Sequence, residues 1–222
     1  HAIALEGTFD DAQAILKGLF NNHAFRDEIG LSGVNSINWA RVVAQAVYYF
    51  TSAAVLGAPY RPVSFTVPTG NFGDILAGWV AKKMGLPIER LAIATNSNDI
   101  LARVLATGTY EGKGVHPTAA PSMDIQVSSN FERLLFDAYG RDAEAISRLM
   151  ANLQQSGRFT IDAGPLAKIR SEFDAGACDE AQMRAEITRT YQENGYILDP
   201  HTAVGVATAR KELAKNPSVP MV

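Results

Sequence analysis

The stretch Val63-Ser-Phe-Thr-Val-Pro-Thr-Gly-Asn-Phe-Gly-Asp74, continuing as Ile75-Leu-Ala-Gly-Trp-Val-Ala-Lys-Lys-Met84, decides the fold. The β-rich run Val63 to Val67 reads as a buried strand. Ile75 to Met84 carries apolar residues at helical spacing and is bounded by Gly85 and Pro87. Gly70 and Gly73 lie between the two. A strand, a tight glycine turn and a helix N-terminus in succession leave several backbone N–H groups unpaired around one point, where the helix dipole also favours negative charge. Such a turn can hold a phosphate. It is not a nucleoside triphosphate loop, since no Gly-Lys-Ser/Thr follows, and it lacks the third glycine of a dinucleotide turn. An ordinary strand-to-helix turn satisfies the same pattern, so the company the loop keeps has to decide.

Working outward, Ile3 to Leu5 reads as a short strand, followed by a helix from Asp10 to Phe20 capped by Thr8 or Asp10. Asn35 or Ser36 should cap a long helix reaching Phe50, with Ile37, Val42, Ala46 and Tyr49 as its apolar positions and Tyr48 to Phe50 in the core. Downstream, Arg90 to Ala94 is a second strand, and Asn96-Ser-Asn-Asp99 caps a helix from Ile100 to Ala106. Strand, helix, strand, helix is the order of a parallel sheet with helical crossovers. Residues 107–121 read as an irregular surface loop, and Ser129 or Asn130 caps the helix that runs to Phe136. From Arg141 to Asn194 the chain becomes charged and alanine-rich, with helices expected at 141–155, 165–173 and 178–193 and Phe159-Thr-Ile161 as the sole strand candidate. The expected organisation is an α/β core over 1–128, a helical insertion over 129–195, and a return to the core over 196–222 through a helix from His201 to Leu213. The chain opens as if inside a strand and closes at Ser218-Val-Pro-Met-Val222 as if one were starting, so a piece of a longer enzyme is expected.

The 222 residues are 47% hydrophobic and 19% charged, ordinary for a folded α/β chain. A net charge of −3, with no basic cluster beyond Lys82-Lys83 or Arg210-Lys211, gives no electrostatic footprint for a nucleic acid. The single Cys178 excludes an intrachain disulfide and a cysteine-built metal site, and no metal is expected. No apolar run is long enough to suggest a membrane span. A reducing compartment, the cytoplasm, is the expected location.

Six ordered blocks carry a resemblance: Asn35-Ser-Ile-Asn-Trp-Ala-Arg41, Val67-Pro-Thr-Gly-Asn-Phe-Gly-Asp74, Ala94-Thr-Asn-Ser-Asn-Asp-Ile-Leu101, Ser122-Met-Asp-Ile125, Ser129-Asn-Phe-Glu-Arg133 and Asp199-Pro-His-Thr-Ala-Val-Gly205. Together, with compatible spacing from Leu5 to Val222, they resemble the C-terminal part of the threonine synthase family. The resemblance implies the fold of the fold type II pyridoxal-phosphate enzymes, similar to the tryptophan synthase β-subunit: a mostly parallel sheet with helices on both faces. It implies pyridoxal 5'-phosphate as cofactor, and O-phospho-L-homoserine and water as the substrates turned into L-threonine and phosphate.

By the same resemblance Gly70, Asn71, Phe72, Gly73 and Asp74 cradle the cofactor phosphate, in agreement with the anion nest. Asp74 should contribute its backbone N–H, with its carboxylate turned away from the phosphate dianion to cap the helix. Thr202 is implied to face the ring nitrogen; a hydroxyl donating there leaves the ring unprotonated, although Thr202 taken by itself reads as a helix cap. Asn35, Asn38 and Arg41, spaced along the expected helix, could grip a substrate carboxylate or phosphate, or could be a cap, a backbone partner and a surface group. His201 is a capping histidine or a candidate acid–base group, and His116 should be exposed. The family holds its cofactor as a Schiff base on a lysine in a Ser-Phe context, which none of the seven lysines here shares (Lys17, Lys82, Lys83, Lys113, Lys168, Lys211, Lys215). No catalytic residue is therefore assigned in this chain. The lysine is expected before His1, and the chain alone is expected to be inactive. Two other readings remain at this point: a threonine dehydratase or related enzyme of the same fold, and a non-catalytic domain that binds a phosphate ligand.

Overall fold

The computed structural model describes residues 4–222. Helix α1 (Phe9–Asn21) starts at Thr8, whose hydroxyl accepts the Asp11 N–H while the Asp11 carboxylate takes the Thr8 N–H at 2.7 Å, a capping box. Of the strand expected at Ile3 to Leu5, Ile3 lies outside the described residues, and Ala4 and Leu5 are exposed and not in a strand. Asn22 closes α1 and also caps α2 (His23–Ile29), a helix not anticipated from the sequence, by accepting the Phe25 N–H at 3.2 Å. Helix α3 (Trp39–Val55) is capped by Asn38 rather than Asn35 or Ser36. The reason is local: the Asn35 oxygen is taken by the Ile37 N–H at 2.9 Å, a side-chain turn that delays the helix, whereas Asn38 accepts from the Ala40 N–H at 3.0 Å. Val42, Ala46, Tyr49 and Ala53 form the buried face of α3, while Tyr48, expected in the core, is 62% exposed.

Strand β1 (Val63–Pro68), helix α4 (Gly73–Lys83), strand β2 (Ile88–Thr95) and helix α5 (Ile100–Thr107) follow as the sequence indicated. β1 and β2 are parallel, with Phe65 opposite Leu91 and Val67 opposite Ile93. The loop expected after α5 contains strand β3 (Thr109–Glu111), and beyond it lies α6 (Phe131–Ala138). Then come α7 (Ala143–Ser156), β4 (Arg158–Thr160), α8 (Ala163–Glu172), β5 (Phe173–Ala177), α9 (Glu180–Asn194) and α10 (Pro200–Lys215). β3 and β4 form an antiparallel ribbon, and β5 joins the parallel sheet in the order β1-β2-β5. β4 falls on the expected strand candidate at Phe159, whereas β5 was not expected within the helical insertion over 129–195. Phe131, Leu135, Phe159, Ile169 and Phe173 from that segment share one hydrophobic core with Phe65, Ile75 and Leu91, so it is continuous with the α/β core.

The sheet is covered on both faces because β2 alternates between two cores. Leu91 and Ile93 enter the large core with α3, α4 and α5, whereas Ala94 meets Ala203 and Val204 of α10 in a second, smaller one. The small residues let α10 approach closely: a Cβ on Gly205 would meet Pro68 at 2.9 Å, and one on Gly176 would meet Thr208 at 3.0 Å. On the outer side of β1, Ser64 N–H donates to Pro220 at 2.8 Å and Thr66 N–H to Val222 at 2.7 Å, so the segment expected to start a strand pairs in parallel there.

Candidate functional site

The glycine loop leaves β1 and enters α4 at the carboxyl end of the sheet, where ligands of open α/β sheets bind. Its last sheet bond is Thr69 N–H to Ala94 at 2.8 Å, and the first helix bond is Leu76 N–H to Phe72 at 3.2 Å. Among the described residues, no acceptor meets the N–H groups of Gly70, Asn71, Phe72, Gly73 and Asp74 in between. These donors sit at the positive end of α4, the arrangement the sequence implied.

Side chains hold the loop in this form. Phe72 adopts φ +62, a left-handed conformation unfavourable for a bulky residue, and its buried ring lies between Phe131 and Phe173 at 5.4 and 5.8 Å. Packing in the core over-determines the strained backbone, so Phe72 can contribute its N–H but not its ring to a ligand. The Asn71 amide oxygen accepts from the Ser129 N–H and hydroxyl at 3.0 and 2.9 Å, and the Asn71 carbonyl accepts from the Asn130 amide at 3.0 Å. Ser128 donates to the Gly70 carbonyl at 2.9 Å. Gly73 is required because a Cβ there would fall 2.5 Å from that of Ser36. Asp74 turns its carboxylate away from the loop, not to cap α4 as expected but to the Tyr49 hydroxyl at 3.3 Å, and the same hydroxyl reaches the Asp74 carbonyl at 2.9 Å. Burial raises the Asp74 carboxyl above its ordinary value, and the Tyr49 hydrogen bond opposes this only in part.

The loop and Thr202 are brought to one end of the sheet through residues around Ser122. A Cβ on Gly70 would lie 2.6 Å from the Ser122 carbonyl, and the Ser122 N–H donates to His201 Nε2 at 3.2 Å. That loop is anchored by a polar cluster: the Asp124 carboxylate accepts from buried Asn96 and Asn98 at 2.7 and 2.9 Å and from the Thr118 N–H at 2.8 Å. Asp199 caps α10 through the N–H groups of His201 and Thr202, and the Thr202 hydroxyl donates to its other oxygen. Thr202 itself is exposed. His201, held between Asp199 and Ser122, is a structural bridge, and His116 is exposed as expected.

Asn35, Asn38 and Arg41 do not share a helix face, because Asn35 and Asn38 precede α3. Their amides serve the local turn, Asn38 donating to Gly33 at 3.0 Å, while Arg41 donates to the Val34 carbonyl at 2.7 Å and lines an open cavity of about 380 Å³ with Asn38 and Tyr48. Lys82 and Lys83 lie at the far end of α4 against Glu172. Ser122, Ser129, Asn130 and Asp199 were all inside the six sequence blocks, but only the tertiary contacts give them positions relative to the loop.

No family model matches the chain. Over all 222 residues it is 49% identical to the threonine synthase of Pseudomonas aeruginosa, of which it spans 47%. Its structure superposes on the crystal structure of PLP-bound threonine synthase from Brucella melitensis with a TM-score of 0.91 and 60% identity, covering 100% of this chain and 47% of that one. The chain belongs to the threonine synthase family. It matches the Escherichia coli threonine synthase structure at 32% identity and a TM-score of 0.78, over 99% of this chain and 45% of that one. It therefore spans about half the length of the threonine synthases it matches. A T.th. threonine deaminase, at 12% identity and a TM-score of 0.51, shares the fold alone. Among the described residues no helix is long and apolar enough to cross a membrane.

Proposed function

We propose that this chain is the part of a threonine synthase that holds the phosphate and ring nitrogen of pyridoxal phosphate, in a cytoplasmic enzyme that converts O-phospho-L-homoserine and water into L-threonine and phosphate. The observation that carries the reading is the fan of unpaired N–H groups from Gly70 to Asp74 at the positive end of α4. The residues fit the group: Gly70 and Gly73 let the loop pack against Ser122 and Ser36 with its N–H groups free, and the one carboxylate in it, Asp74, is turned to Tyr49. When bound, pyridoxal phosphate supplies an electron sink for bonds at the substrate's α-carbon.

In this reading the Gly70 to Asp74 N–H groups bind the phosphate dianion, and Asn71, gripped by Ser129 and Asn130, keeps those donors aimed. Thr202 contacts the ring nitrogen. Arg41 offers its remaining donors to a substrate carboxylate or phosphate, and Asn35 and Asn38 position the turn that carries it. The lysine that holds the cofactor and moves protons is contributed from outside these 222 residues, since none of the seven lysines has the family's Ser-Phe context and Lys82 and Lys83 are tied to Glu172.

The test compares the 222-residue chain with the full-length protein, each incubated with pyridoxal phosphate and O-phosphohomoserine. The full-length protein should release phosphate and threonine in equal amounts, and the chain alone neither. Turnover by the chain alone, abolished by replacing one of its seven lysines, would overturn the assignment of the lysine. A 2-oxo acid as the product of the full-length protein would favour a dehydratase, and cofactor binding without turnover would favour a binding domain.

A further inference from the structure

Tyr49 lies on the buried face of α3 and reaches across to the first turn of α4. Its ring is fixed from two sides. It packs against Phe65 of β1 with centroids 4.8 Å apart, and α4 approaches so closely that a Cβ on Gly78 would fall 2.4 Å from it. The residue is 3% exposed, and burial pushes its phenol well above the ordinary value, so the hydroxyl keeps its proton. That hydroxyl donates to the Asp74 carbonyl at 2.9 Å and lies 3.3 Å from Asp74 Oδ1. Among the described residues it is the side-chain donor that reaches the Asp74 carboxyl. The carboxyl otherwise borders an open groove of about 170 Å³ between α3, β1 and Val222, whose lining carries no cationic side chain to hold it there.

The helix terminus by itself favours a different placement. Asp74 sits in the first turn of α4, Phe72 at the cap position offers no side-chain oxygen, and the N–H groups from Gly70 to Asp74 meet no acceptor among the described residues. The dipole attracts a first-turn carboxylate to such free donors. A carboxylate closing on them would take the bonds a phosphate needs and set a charge of the same sign beside it. We propose that Tyr49 is a positioning residue whose hydroxyl holds the Asp74 carboxyl against α3 and thereby keeps the Gly70 to Asp74 N–H groups free for the cofactor phosphate. This rests on the reading in which those N–H groups hold that phosphate. Tyr49 acts through Asp74, by keeping an anion carried on the loop itself out of the cradle. A role confined to packing, or to the bond with the Asp74 carbonyl, would not depend on the charge at position 74, and this difference separates the two.

The experiment titrates the full-length protein, freed of cofactor, with pyridoxal phosphate and separately with pyridoxal, which has no phosphate, for wild type, Tyr49→Phe, Asp74→Asn and the double variant. Tyr49→Phe keeps the ring that packs on Phe65. It should weaken pyridoxal phosphate binding about tenfold, the equivalent of one lost hydrogen bond, and leave pyridoxal binding unchanged. With the charge at position 74 removed, Tyr49→Phe should cost nothing, so the double variant should bind pyridoxal phosphate as Asp74→Asn alone does. Unchanged pyridoxal phosphate affinity in Tyr49→Phe overturns the proposal. So does a loss that persists in the double variant or is equal for pyridoxal, since either would make the role of Tyr49 one of packing alone. If wild type binds pyridoxal as tightly as pyridoxal phosphate, the loop does not hold the phosphate, and the functional reading fails together with the proposal built on it.

Discussion

Replacing Gly70 with alanine tests the contact that joins the phosphate-loop candidate to the rest of the site. The new Cβ would lie 2.6 Å from the Ser122 carbonyl oxygen, against the 3.4 Å at which ordinary contact begins, so one of the two backbones must retreat by about 0.8 Å. Neither can rotate away as a side chain could. Gly70 is tied through its carbonyl to Ser128, and Ser122 through its N–H to His201 at 3.2 Å, a bond that a shift of this size would break. Overpacking costs about 1–3 kcal/mol and a lost hydrogen bond about 1 kcal/mol, so the variant should lose roughly 2–4 kcal/mol. In a chain of this size that is a fall in Tm of roughly 5–15 °C by thermal denaturation. Gly164→Ala is the matched control, since nothing lies within 4 Å of its added Cβ and it sits in α8. It should be neutral or stabilising by about 0.4–1 kcal/mol. If Gly70→Ala melts with Gly164→Ala, Ser122 does not close over the loop and the link from Gly70 to His201 is wrong.

Asp74→Asn should raise stability at neutral pH. Burial lifts the Asp74 carboxyl above its ordinary value of 3.8, so its favourable contribution is present below that value and is lost as pH rises through the raised one. The Tm advantage of the variant should therefore grow as the pH is raised above 3.8 and vanish below it, and an advantage that does not change with pH would refute the burial argument. Asp124→Ala removes the shared acceptor of Asn96, Asn98 and Thr118, and should cost roughly 2–4 kcal/mol and open residues 112–126 to limited proteolysis, while wild type resists cleavage there. Equal cleavage rates would show that the polar cluster does not anchor this loop.

The amino-acid sequence by itself determined β1, the glycine turn, α4, β2 and α10, because each is written in local terms: β-branched and apolar runs, glycines where a side chain cannot fit, and helical spacing ended by Gly85 or begun by Asp199. It also named the fold and the loop, through six blocks that retain their order. Tertiary structure alone decided β5. Phe173-Asp-Ala-Gly-Ala177 has neither alternation nor β-branched residues, and it is a strand because β2 offers an unpaired edge and Arg90 grips Asp174 at 2.7 Å. It also decided that Asn38 rather than Asn35 caps α3, since both residues have the same capping chemistry and only the turn at Ile37 separates them. The contact of Ser122 with Gly70 and His201 joins segments far apart in the chain, and no local pattern encodes such proximity. The direction of the Thr202 hydrogen bond was the least legible feature. The residue type permits a hydroxyl to donate or accept, and only the placement of the Asp199 carboxylate beside it fixes which.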